Sequence, residues 1–200
     1  WRQANKPVLL ENRAMNDMNP AFLKPSAMPD VQSTADERAL PIEQVGIRGV
    51  RHPLTIRSKT GNFPSVGLFE MDVALPAHVK GTHMSRFVEI MEAQNTPLTL
   101  TSMRELFNQM RERLSATTGK IEFDFPYFIR KNAPVSGVAS LIDIDAGITI
   151  SGDSISKTEL TLKTVVPVTS LCPCSKEISE YGAHNQRSHI TIQAVLKKDT

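Results

Sequence analysis

Two blocks of alternating residues enclose two helical stripes, and this order limits the fold more than any other feature of the chain. Phe69, Met71, Val73 and Leu75 alternate with Leu68, Glu70, Asp72 and Ala74, the period of a strand. After Pro76 the period lengthens: Met84, Phe87, Val88 and Met91 predict one helix. Met103, Leu106, Phe107, Met110 and Leu114 predict a second, with Ser102 and Glu105 spaced as a capping box. Period two then returns at Ile121, Phe123 and Phe125, at Ile142 to Ile150, and at Leu160, Leu162, Val166 and Val168, with a turn near Gly152-Asp153. The expected order is strand, strand, helix, helix, strand, strand: an α+β fold, an antiparallel ββααββ sheet carrying a helix pair on one face.

A further strand, Ile190, Ile192, Ala194 and Leu196, runs into Lys197-Lys198-Asp199-Thr200 with no partner behind it. It reads as the opening of a second, incomplete unit, so the chain looks truncated at its C-terminus. Residues 1–40 mix Pro, Asn, Asp and Met without sustained periodicity and read as a flexible arm. The expected organisation is therefore an arm over 1–40, a first module over 41–170, and the start of a second over 171–200.

With 200 residues, 40% of them hydrophobic, the chain has material for an ordinary core. Its formal charge of +2, without massed Lys or Arg, argues against a nucleic-acid partner. No stretch approaches the roughly 20 apolar residues of a membrane span, and the first residues lack a signal-peptide core, so a cytoplasmic protein with no membrane partner is expected. The two cysteines, Cys172 and Cys174, are one residue apart, too close for an unstrained mutual disulfide, and are read as free thiols.

Chemistry concentrates after the fifth strand. Cys172 is expected at the start of a short helix near Ser175 and Lys176, where the helix dipole and a lysine favour a thiolate, which is both nucleophile and metal ligand. His184 and His189 follow closely enough for thiolate and imidazole to meet one ion, a donor set suited to zinc or a similar divalent metal. On residue types alone three readings stay open: a catalytic metal site, a structural zinc closed by Cys172, Cys174, His184 and His189, or unliganded residues. The polar neighbours Lys176, Glu177, Asn185 and Arg187 favour the first. His52, His78 and His83 read as ordinary loop or helix-start residues.

The run Pro167-Val168-Thr169-Ser170-Leu171-Cys172-Pro173-Cys174-Ser175-Lys176-Glu177-Ile178-Ser179, followed by Tyr181-Gly182-Ala183-His184-Asn185-Gln186-Arg187-Ser188-His189, resembles the type IB GTP cyclohydrolase I family. Agreement extends to Lys80-Gly81-Thr82-His83-Met84-Ser85-Arg86-Phe87, Ala133-Pro134-Val135-Ser136-Gly137 and Val45-Gly46-Ile47-Arg48, and so covers about residue 30 onward. The resemblance implies a tunnel fold and a homo-oligomer, a tetramer among the assemblies it allows, with active sites at subunit interfaces. It implies hydrolysis of GTP to 7,8-dihydroneopterin triphosphate and formate, the first step of tetrahydrofolate synthesis, with a divalent cofactor: manganese, zinc or iron. Cys172 and His184 match the family's metal ligands, and Cys172 and His189 are the expected catalytic residues. Lys176, Arg187, His83 and Arg86 are expected to bind substrate. The family supplies further carboxylates, for the metal and for guanine, beyond the point where this chain stops, so the chain by itself need not be active. Two alternatives accompany this reading: a tunnel-fold nitrile reductase and a non-catalytic oligomerisation module built on structural metal.

Overall fold

The computed structural model describes residue 32, residues 34–153 and residues 157–196. Its elements are β1 (Ile42–Ser58), β2 (Gly61–Leu75), α1 (Met84–Glu92), α2 (Leu100–Arg113), β3 (Gly119–Asn132), β4 (Ala139–Gly152), β5 (Thr158–Leu171), α3 (Pro173–Ile178) and β6 (Asn185–Leu196). The six strands form one sheet in the order β1-β2-β3-β4-β5-β6, every pair antiparallel. The first six elements follow the expected ββααββ order. The sheet then continues without a break past residue 170.

Period two puts the apolar half of β2 to β5 on one face, and α1 and α2 cover it. Phe69, Met71, Val73, Ile121, Phe123, Ile148, Ile150 and Leu160 join Phe87, Ile90, Met103, Leu106, Phe107 and Met110 in one buried cluster. Each such side chain contributes about 1.5–3 kcal/mol by leaving water, before ordering costs are subtracted. Phe69 and Phe123 meet edge-to-face across neighbouring strands, with centroids 4.2 Å apart.

The opposite face is charged. Arg48 pairs with Glu70 (3.1 Å), Lys120 with Glu122 (2.5 Å) and Lys163 with Asp124 (3.2 Å). Among these groups Asp72 is partly desolvated, which raises its carboxyl above the ordinary range, although Lys120 and Arg48 pull the other way.

Several elements differ from the sequence-based expectation. β1 carries no clean alternation because register shifts interrupt it between Ile42 and Val45 and between Ile47 and Val50, so its two faces exchange along the strand. Gly46 lies against the Met71 carbonyl, where any Cβ would collide. The buried stripe of α1 is Phe87, Ile90 and Met91, whereas Met84 and Val88 are about 40% exposed. The capping box of α2 is formed by Thr99 and Ser102: the Ser102 amide donates to the Thr99 hydroxyl, and the Thr99 amide to the Ser102 hydroxyl. Glu105 is not part of it.

The last strand does have a partner, but an upstream one: β6 pairs with β5 from Leu160↔Leu196 to Leu171↔Asn185. The end of the expected arm is tied to the sheet's neighbourhood by a bridge between Ala35 and Val79 and by the Lys80 amide donating to the Thr34 carbonyl. Residues 1–31, the rest of that expected arm, lie outside the described residues. No helix among the described residues is long and apolar enough to cross a membrane.

Candidate active site

The β5–β6 hairpin positions the expected ligands. β5 ends at Leu171, Cys172 is the N-cap of α3, and Pro173 occupies the first helical turn, where its missing amide costs nothing. The Lys176 amide donates to the Cys172 carbonyl (3.2 Å), closing that turn, and the Cys172 amide donates to the His184 carbonyl (3.3 Å). Gly182, at φ +101°, supplies the left-handed bend that returns the chain to β6. One backbone hydrogen bond thus holds the Cys172 and His184 backbones side by side across twelve residues of chain.

The Cys172 thiol is held below its ordinary value, first by the Ser175 side chain and then by the Ser175 amide, with burial opposing. No strict cap hydrogen bond is closed by the Cys172 side chain, so the effect comes from the proximity of these donors at the helix start. Cys172 is half-buried and Cys174 is exposed; both are free. Lys176 lies in the last turn of α3, also exposed.

Along β6, Arg187 lies opposite Thr169 and His189 opposite Pro167, so the two side chains share the sheet face that the helices leave uncovered. They line a small cavity of about 110 Å³ together with Asp143 and Asp145 of β4. These two carboxylates escaped the sequence reading, although they alternate with Ile142 and Ile144 along a strand it recognised. Their signal was the polar half of that alternation.

His83 and Arg86 lie elsewhere. They line a cavity of about 230 Å³ with Val73 to Pro76 at the end of β2. His83 is the N-cap of α1, and the Arg86 guanidinium donates to the Arg113 carbonyl (3.0 Å), tying α1 to the C-terminal end of α2. Register places Val73 beside Gly119, Gly119 beside Gly152 and Gly152 beside Thr158, the far end of β5 from Cys172. At about 3.3 Å per residue along 14-residue β5, the two groups stand roughly 40 Å apart within one chain. His52 has a structural role: one ring nitrogen contacts Glu92 (3.2 Å), the other the Pro53 carbonyl (2.8 Å).

As donors, a poised thiol and an imidazole from a hydrogen-bonded neighbour fit two of the three protein ligands of an open catalytic zinc site. Among the described residues no three His, Cys, Asp or Glu side chains are gathered to hold a metal ion, for the closed four-ligand set or for an open one.

The family profile for type I GTP cyclohydrolase FolE2 matches residues 28–200. The chain belongs to that family. It is 61% identical over 187 residues to GTP cyclohydrolase FolE2 of Polynucleobacter asymbioticus, covering 92% of this chain and 69% of the relative. FolE2 of Burkholderia ambifaria is 56% identical, with 92% and 67% covered. FolE2 of Paraburkholderia phymatum is 57% identical, with 92% and 68% covered. The chain spans about two thirds of the length of these FolE2 relatives.

Proposed function

We propose that this chain carries the thiol and imidazole of a GTP cyclohydrolase site, converting GTP to 7,8-dihydroneopterin triphosphate and formate at the head of tetrahydrofolate synthesis. The observation that carries the reading is the pairing of Cys172 with His184 at the tip of the β5–β6 hairpin, in a FolE2 chain. Cys172 and His184 would hold a divalent cation, whether zinc, manganese or iron. When bound, such a cation supplies the Lewis acidity that makes water nucleophilic near neutral pH.

The remaining roles belong to the protein's own side chains. His189, on the face that holds the cavity, would take the proton released as water adds at C8 and return it to the ring nitrogen as the C8–N bond breaks. Arg187 and Lys176 would bind the triphosphate, Arg187 through paired N–H donors and Lys176 as a point charge. His83 and Arg86, at the opposite strand ends, could meet the same substrate only from another copy of the chain. That separation supports a homo-oligomer of tunnel-fold modules, up to a tetramer, with sites at subunit boundaries. Free thiols suit a reducing, cytoplasmic setting. The match to the FolE2 family favours neither the nitrile reductase nor the non-catalytic structural-metal reading.

The test is GTP turnover with added manganese or zinc, following formate and pterin fluorescence, on this chain and on a version extended to the length of its relatives. Cys172→Ala is expected to lose both metal retention and turnover while keeping its β-sheet circular dichroism. Wild-type activity in that variant would remove Cys172 from the site.

A further inference from the structure

Where β4 leaves β5, the sheet forks. The β4–β5 ladder ends at Asp145↔Val165, yet β3–β4 pairing runs on to Asn132↔Ala139 and β5–β6 pairing to Leu171↔Asn185. Two hairpin arms therefore rise from one sheet, with a cleft between the outer part of β4 and the outer part of β5. The cavity shared by Asp143, Arg187 and His189 sits at the base of this cleft, floored by Val165 and Pro167. It has room for a few waters or one polar group of a ligand.

Strand alternation places both carboxylates on the face that holds His189. His189 lies opposite Pro167, and Asp143, two residues past the last β4–β5 pair Asp145↔Val165, keeps the parity of the same uncovered face and lines the same cavity. Pro167, a small side chain on β5, lines that cavity between the two strands.

The neighbouring charges distinguish Asp143 from Asp145. Asp145 also lines the larger groove beyond, where Lys163 and Arg51 are nearby cations. Asp143 shares its cavity with Arg187, His189 and Asp145 and, unlike Asp145, does not line the larger groove; β5 contributes no ionisable group to that cavity. Among the described residues no hydrogen bond or ion pair occupies the Asp143 carboxylate, which is exposed on a face where Glu70, Glu122 and Asp124 are all paired.

We infer that Asp143 is the positioning residue for His189: across the cleft its carboxylate accepts a hydrogen bond, direct or through one water, from a ring N–H of His189 and thereby fixes which ring nitrogen is left to move the proton. This rests on the proposed role of His189 in GTP hydrolysis. A carboxylate behind an imidazole selects its tautomer, and the wrong tautomer offers the substrate a donor where an acceptor is needed. The carboxylate itself neither gains nor loses the proton.

Two measurements on Asp143→Asn separate this inference from the functional proposal. Nitrogen-15 NMR of the imidazoles in the metal-free protein reads the His189 tautomer directly, without GTP; the inference expects one dominant tautomer in the wild type and a redistributed population in the variant. In the metal-loaded, active protein the variant is expected to lose roughly tenfold or more in kcat, with KM little changed, and Asp143→Glu to recover part of the loss. An unchanged His189 tautomer in Asp143→Asn overturns the inference, as does an equal effect from Asp145→Asn. A rise in KM at constant kcat also overturns it, because the carboxylate would then be serving Arg187 and substrate binding. Failure of the wild type to turn over GTP refutes the functional reading alone, since the NMR comparison still decides the Asp143–His189 pairing.

Discussion

The half of the sheet under the helices and the β5–β6 hairpin are built from similar alternating sequences, yet they do different things. Under α1 and α2, Phe123, Ile121 and Met71 are fully buried. On β6, Ile190, Ile192 and Val195 are half exposed or more. The first region carries stability. The second carries Cys172, His184, Arg187 and His189, and its residues gain little from packing within one chain. The candidate site thus lies where a change of side chain costs the fold least, and backbone hydrogen bonding along the hairpin aligns its residues.

This contrast can be broken most directly in the core. Phe107→Ala removes a fully buried ring from α2 and should cost about 3–5 kcal/mol of unfolding free energy, measured by urea denaturation. A much smaller loss would mean that the helix layer is not the stabilising half. Thr99→Ala strips the α2 cap of its reciprocal hydrogen bonds and should cost about 1 kcal/mol in the same assay.

A smaller, pH-dependent effect is expected on the charged face. Burial raises the Asp72 carboxyl above its ordinary 3.8, so the folded state holds that proton to higher pH than the unfolded chain does. Below the ordinary carboxylate range both states are protonated and the group is neutral toward stability. As pH rises through 3.8 the unfolded state ionises first and stability falls, the penalty being complete above the folded value. Asp72→Asn should therefore raise the melting temperature at pH 7 and lose that advantage at pH 3. A constant difference across the range would remove desolvation as the cause. At the low end, Ile192→Ser on β6 should leave the stability of the isolated chain within about 0.5 kcal/mol of wild type. A large loss there would show that β6 is packed as tightly as β3.

Much of the architecture was legible because α2 and β2 to β5 each repeat one period cleanly. The Met103, Leu106, Phe107 and Met110 stripe is buried as its spacing predicts. β1 was not legible: two register shifts exchange its faces and erase the alternation. The helical stripe of α1 was found but turned, because Met84 and Val88 fit the spacing as well as Ile90 does, and only the position of the sheet decides which side is covered. The Cys172 to His189 segment is legible as a candidate site from residue types and order. Arg86 shows the limit of such recognition, since its guanidinium spends a donor on the end of α2.

The sequence by itself determined the alternation of strands and helices, the family, and the clustering of thiol, imidazole and basic groups within 18 residues, because these are properties of neighbours along a chain. Tertiary structure alone decided that β6 returns to β5, that His83 and Arg86 stand at the opposite strand ends from Cys172, and that Asp143 and His189 line one cavity. Those relations depend on strand register and on where one ladder stops, and no local period encodes either.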